Sequence, residues 1–337
     1  MKVVTDGIFG DHLRGIAHPE SPDRVEVVAS RLAERGLLGQ LVAARDASSD
    51  ELERVHAHRY VELVKRETAS LQDAQDLSTG DVVVDSRSLD VALRAAGGAI
   101  AALETAVNDN AAAFALVRPP GHHAEQSRGM GFCLFNNAAI AARAYQAEHG
   151  GRVLVVDFDY HHGNGTQDIA GNGLSYVSTH ASPAYPGTGY ETVSLGSDFV
   201  VNVPLPASGI ATEAFVAIWE RLLENVISTV RPDAIVVSAG FDYVAGDPVG
   251  DLGVDVNAAS ALAAAIQRTA AQYCGGRVAY VLEGGYNIDA LTDSIAQVLQ
   301  SDRRSEGTLG KADAGSIPLK QRELLDRIER LLKNEAV

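Results

Sequence analysis

Residues 153–167, VLVVDFDYHHGNGTQ, run from aliphatic side chains straight into Asp157, Asp159, His161 and His162. Side chains at i and i+2 of an extended segment share a face, so Asp157, Asp159 and His161 can point the same way. Carboxylates gathered at a strand end need partners, and a bound metal ion is one such partner. Three other apolar runs end in reactive groups: His122 and His123 follow residues 113–117, Asp242 follows 234–238, and Tyr286 follows 278–282. Asp159, His161 and Asp242 offer two carboxylates and one imidazole. That is the three-ligand set of a catalytic zinc site with an open position. Its oxygen content also suits other divalent ions. Such an ion acidifies water and polarises a carbonyl. His122 and His123 have the pKa range for a base and acid pair, and Asp157 is placed to orient one of them. Tyr286 offers a phenolic donor to a developing oxyanion. Together these parts suit metal-assisted hydrolysis of an uncharged acyl group, most simply an amide.

The elements that must position these residues alternate. Strands are expected at 113–117, 152–158, 175–179, 199–203, 234–238 and 278–282, with 3–4 opening the first. Helices are expected at 22–34, 58–67, 88–107, 136–149, 212–230, 257–273 and 288–299. Alternation of this kind implies βαβ crossovers, a mostly parallel sheet and helices on both faces. Ligands of such sheets bind beyond the carboxyl ends of the strands, where the reactive residues fall. No internal repeat or linker divides the chain, so residues 1–337 are expected to form one domain. A loose polar connection is expected over 301–318, then a charged amphipathic helix over 320–335, packed on the body or on a partner.

Composition limits the function classes. The 337 residues are 46% hydrophobic and 21% charged, enough for a large core. The formal net charge of −16 argues against nucleic acid as the partner and is compatible with cationic substrates. Cys133 and Cys274 make no disulfide framework, which points to a reducing compartment and a cytoplasmic location. The charged N-terminus does not read as a signal peptide, and no apolar stretch approaches the ~20 residues of a membrane span.

The motifs RPPGHHAE, GFCLFNN, DFDYHHGNGTQ, SAGFD and LEGGY, in this order and spacing, resemble the histone deacetylase superfamily over about residues 1–300. HPESPDR at residues 18–24, and Asn164, are similar to the class II type and its bacterial relatives. The resemblance implies an arginase-like three-layer α/β/α sandwich with a central, mostly parallel sheet. It implies a zinc-dependent amidohydrolase, with Fe2+ or Co2+ as substitutes for zinc. Asp159, His161 and Asp242 match the metal ligands. His122 and His123 match the tandem histidines, the second as general base and acid and the first as an electrostatic support. Tyr286 matches the carbonyl-binding tyrosine. Gly131 and Phe132 match one wall of an acyl-lysine tunnel, with Tyr185 opposite and Val249 at the gate. Arg24 matches an arginine lining an inner cavity. A potassium ion is implied at the main-chain carbonyls of Asp157, Asp159 and His161, with Ser178 and Thr179.

The implied substrate is acyl-lysine in a protein or peptide, or alternatively a small acetylated polyamine. Apolar Val249 and the short N-terminal loop lean away from the polyamine, and an oligomer is compatible with either. A binuclear manganese ureohydrolase would need more Asp and His ligands than this set offers. An inactive acyl-lysine binder would not need every catalytic position filled. Asp81 is a candidate for contact with the substrate backbone. Of the remaining histidines, His12, His18, His56, His58 and His149 are expected to be surface or packing residues, and His162 and His180 to stand behind the pocket. Cys133 reads as a buried small apolar residue.

Overall fold

The computed structural model of the chain describes residues 1–69, 71–301 and 314–335. The apolar runs become strands and the amphipathic stretches become helices, within a few residues of the expected limits. In chain order the strands are β1 (Lys2–Thr5), β2 (Leu41–Ala43), β3 (Gln75–Asp76), β4 (Val83–Val84), β5 (Ala112–Ala115), β6 (Val153–Asp157), β7 (Leu174–Ala181), β8 (Val193–Leu195), β9 (Asp198–Leu205), β10 (Ala234–Ala239) and β11 (Val278–Leu282). The helices are α1 (Asp23–Glu34), α2 (Ser49–Glu53), α3 (His58–Ala69), α4 (Ser88–Asp109), α5 (Asn137–His149), α6 (Asn164–Ile169), α7 (Thr212–Val230), α8 (Ala258–Tyr273), α9 (Ile288–Gln300) and α10 (Leu319–Glu335).

Nine strands form one sheet in the order β2-β1-β5-β11-β10-β6-β7-β9-β8. All its pairings are parallel except β8 on β9. Helices α2, α3, α4 and α5 pack with one another on one side, and α1, α9, α8, α7 and α10 pack in series on the other. Every residue of β6 and β10 is buried. That is why these strands read as unbroken apolar runs rather than alternating ones. Strands β10 and β11 fill the gap between β5 and β6. The four strand ends that carry reactive residues are therefore neighbours, and the crevice above them is where an open α/β sheet binds ligands.

Local chemistry explains the boundaries. Helices α5 and α9 start at Asn136 and Asn287, whose side chains accept from the N–H groups of Ala139 and Ala290. Pairing of β5 stops before Pro119 and Pro120, which have no N–H to give. Helix α10 rests on α7, where Arg221 donates to Asp326 at 2.5 Å and to Glu329 at 2.6 Å, while Leu325, Ile328 and Leu332 are buried. Of the expected loose connection, 302–313 lie outside the described residues. The short pieces β2, β3, β4, β8, α2 and α6 were not expected, because segments of two to six residues carry too little periodicity to read. Among the described residues no helix is long and apolar enough to cross a membrane.

Candidate active site

The ends of β6 and β10 bring Asp159, His161 and Asp242 together, with one donor atom from each lying within 4.8 Å of the others. His161 Nδ1 stands 3.2 Å from Asp159 Oδ1 and 2.9 Å from Asp242 Oδ2. The approach to Asp242 lacks hydrogen-bond geometry, so that fully buried oxygen has no hydrogen-bond partner. A neighbouring glycine creates the space. A Cβ on Gly284 would lie 2.6 Å from Oδ2 of both Asp159 and Asp242, and the Gly284 N–H donates to Asp159 Oδ2 at 2.8 Å.

Two buried carboxylates this close repel each other unless a cation joins them. Burial and the Asp159 charge push the Asp242 carboxyl up to about 7. Burial opposes a charged His161, but Asp159 and Asp242 outweigh it and raise the imidazole to about 10. A proton on His161 thus stands in for the positive charge that the cluster requires. The orphaned oxygen, the N/O donor set and the space left by Gly284 all fit a divalent metal ion.

The tandem histidines lie beside this cluster and differ from one another. His122 Nδ1 is 3.1 Å from Asp157 Oδ2, and its Nε2 is 3.8 Å from Asp159 Oδ1. Burial opposes its charge, but Asp159, Asp157 and Glu283 hold its pKa up at about 10. His123 faces no carboxylate at hydrogen-bond distance. Its Nδ1 donates to Asn164 Oδ1 at 2.8 Å, a direction assigned from the amide geometry. Burial, then the charges of His122 and His161, depress its pKa well below the ordinary value. Asp157 also accepts from the Tyr176 hydroxyl at 2.9 Å and from the Asp159 N–H at 3.2 Å.

A cavity of about 310 Å³ opens above these groups, lined by His122, His123, Asp159, His161, Gly284 and Tyr286, with Gly131, Phe132, Tyr185, Val249 and Asp81 toward its mouth. Gly131 has no room for a side chain: a Cβ there would lie 2.3 Å from His123 Cδ2 and 3.0 Å from Tyr185 Cε1. Phe132 adopts φ +68, a strained conformation for a residue with a Cβ. The Tyr185 ring stands edge-on to His123 at 5.1 Å, and Phe132 to Tyr286 at 5.9 Å.

The structure brings together every residue that the sequence reading placed in the metal set, the catalytic set and the tunnel. Ser178 lies opposite Asp157 in the β6–β7 register, and the buried Thr179 hydroxyl has no hydrogen-bond partner. Arg24 is fully buried. It donates to Glu20 at 3.0 Å, to the carbonyl of Gly285 at 2.7 Å and to that of Glu283, with its guanidinium 4.8 Å from the Tyr286 ring centroid. His162 is held by Thr188 and Gln167, and His180 by Ser178 and the Gly189 carbonyl. Both stand behind the pocket.

Glu283 and Asp247 escaped the sequence reading. Glu283 Oε2 accepts from the N–H groups of Gly121 at 2.6 Å and His122 at 3.0 Å, tying β11 to the turn that presents the histidines. Its only sequence signal was an acidic residue placed directly between an apolar run and two glycines.

Comparison with known proteins identifies the family. The histone deacetylase domain family matches residues 18–301. Histone deacetylase 15 of Arabidopsis thaliana is 38% identical over 296 residues, covering 84% of this chain and 52% of that protein. The histone deacetylase-like amidohydrolase of Pseudomonas aeruginosa is 38% identical, covering 80% and 73%. A probable deacetylase of Archaeoglobus fulgidus is 33% identical, covering 85% and 82%. The chain thus spans about half the length of the Arabidopsis protein and most of the archaeal one. The crystal structure of the HDA15 HD domain superposes with a TM-score of 0.85 at 30% identity, covering 98% of this chain and 93% of that one. The chain belongs to the histone deacetylase family of hydrolases.

Proposed function

We propose that the protein is a zinc-dependent deacylase that removes acetyl or other short acyl groups from the side-chain amine of acyl-lysine. The observation that carries this reading is the buried Asp159–His161–Asp242 set at the floor of a cavity walled by paired histidines and a tyrosine. A divalent ion held by those three side chains supplies Lewis acidity toward the amide carbonyl and toward water.

The protein's own residues supply the rest. His123, kept neutral by its burial and by the charge of His122 beside it, gives its Nδ1–H to Asn164 and keeps the Nε2 lone pair free. It takes the proton from attacking water and returns it to the departing amine. His122 stays protonated between Asp157 and Asp159 and stabilises negative charge on the substrate. Burial raises the Tyr286 phenol well above its ordinary value despite the nearby Arg24, so it stays protonated and donates to the oxyanion. Phe132 and Tyr185 flank the lysine methylenes at the mouth. Potassium near Ser178 and Thr179 is part of the proposal, supported by the unpartnered Thr179 hydroxyl.

Small acetylated amines are the second reading. The net charge of −16 favours cationic substrates, while apolar Val249 at the mouth offers an ammonium group no partner. A panel of acetyl-lysine peptides, acetylputrescine and acetylspermidine decides between them. Higher kcat/KM on the peptides is expected, with inhibition by a hydroxamate. Turnover of the polyamines alone would overturn the acyl-lysine reading.

A further inference from the structure

Asp247 lies in the loop between β10 and α8, outside the metal set, and is only 7% exposed. Its carboxylate takes four main-chain N–H groups from two separate loops. Oδ1 accepts from Val249 at 2.9 Å and Gly250 at 3.1 Å. Oδ2 accepts from Tyr286 at 2.7 Å and Asn287 at 3.0 Å. Val249 and Tyr286 both line the cavity, one at its mouth and one on its wall. A single buried side chain therefore bridges the mouth and the proposed oxyanion donor.

The need for such a bridge follows from the sequence before Tyr286. Gly284 leaves room for the carboxylates, and Gly285 adopts φ +116, a conformation open to glycine. Two adjacent glycines make a soft hinge just where a phenol must be aimed closely. A misplacement of about 1 Å at a reacting group can cost on the order of 100-fold in rate. The hinge is pinned on both sides: Arg24 Nε donates to the Gly285 carbonyl at 2.7 Å, and Asp247 receives the Tyr286 N–H.

We infer that Asp247 is a positioning residue for deacylation, which aims Tyr286 through its main chain and makes the Val249 mouth and the Tyr286 wall one rigid unit. This rests on the proposed role of Tyr286 as oxyanion donor. Asp247→Asn tests it, since the amide keeps the shape but turns one acceptor into a donor facing two N–H groups.

The experiment is a double-mutant cycle with Tyr286→Phe, reading kcat, metal content and Tm. Asp247→Asn is expected to lower kcat about 10-fold or more with Tyr286 present. In the Tyr286→Phe background it is expected to change kcat by less than about twofold, although Tm falls equally in both. An equal loss of kcat in both backgrounds, or no loss in either, overturns the inference. Normal turnover in Tyr286→Phe alone overturns the role of Tyr286 first, a distinguishable result. Should Asp247→Asn fail to fold, Asp247→Glu keeps both oxygens one methylene further out and is judged by the same outcomes.

Discussion

The Tyr185 hydroxyl donates to the Asp81 carboxylate, 3.0 Å from Oδ2 and 3.2 Å from Oδ1, and the Gly131 N–H reaches Oδ1 at 3.1 Å. One carboxylate therefore holds both sides of the cavity mouth. Asp81 appeared in the sequence as a candidate contact for the substrate backbone. In the structure it first holds the protein's own walls.

Tyr185→Phe keeps the ring and removes this bond. A hydrogen bond to a charged group is worth about 1.5–3 kcal/mol, less when half exposed. KM for an acetyl-lysine peptide should rise about three- to tenfold, with kcat changed little. Steady-state kinetics check this. A lower KM would show that Asp81 serves substrate better once freed from Tyr185.

Tyr286→Phe removes the donor without changing the packing against Arg24 and Phe132. Loss of one oxyanion donor costs roughly 100- to 1,000-fold in kcat. Metal content, measured by elemental analysis, should stay at the wild-type value. Wild-type turnover would remove the phenol from the mechanism.

A pH effect on stability follows from His56, which is not one of the proposed metal ligands. Its Nδ1 donates to the Glu125 carbonyl at 2.9 Å, and its Nε2 accepts the Asn136 N–H at 2.9 Å. This pattern requires a neutral ring. Burial lowers its pKa from 6.5 to about 4. Between those values the unfolded chain binds a proton that the folded chain refuses, so stability is full above 6.5 and falls as pH drops toward 4. The loss reaches up to about 3 kcal/mol. Urea unfolding at pH 7 and pH 5 should show a shallower pH dependence for His56→Gln than for the wild type. Equal slopes would show that His56 does not titrate across this window.

The sequence carried the central layer of the fold and the reactive residues because both follow short-range rules. Buried parallel strands are uninterrupted apolar runs, and side chains alternate along a strand end, so Asp157, Asp159 and His161 could be read as a set. What was not legible depends on pairing across loops. Glu283 and Asp247 act on main-chain N–H groups of other segments, and no local pattern says which N–H a carboxylate will meet. The contacts of Arg24 were hidden for the same reason. Its partners include carbonyls at the far end of the chain. The edge strands β2 and β8 were missed because three residues, with two of them exposed in each strand, look like loop.

Metal stoichiometry of the purified protein and of Asp242→Ala tests the account most directly. One divalent ion per chain is expected in the wild type, lost together with hydroxamate binding in the variant, since two ligands hold zinc poorly and His161 loses its nearest carboxylate. Two ions per wild-type chain, or full occupancy in Asp242→Ala, would contradict it.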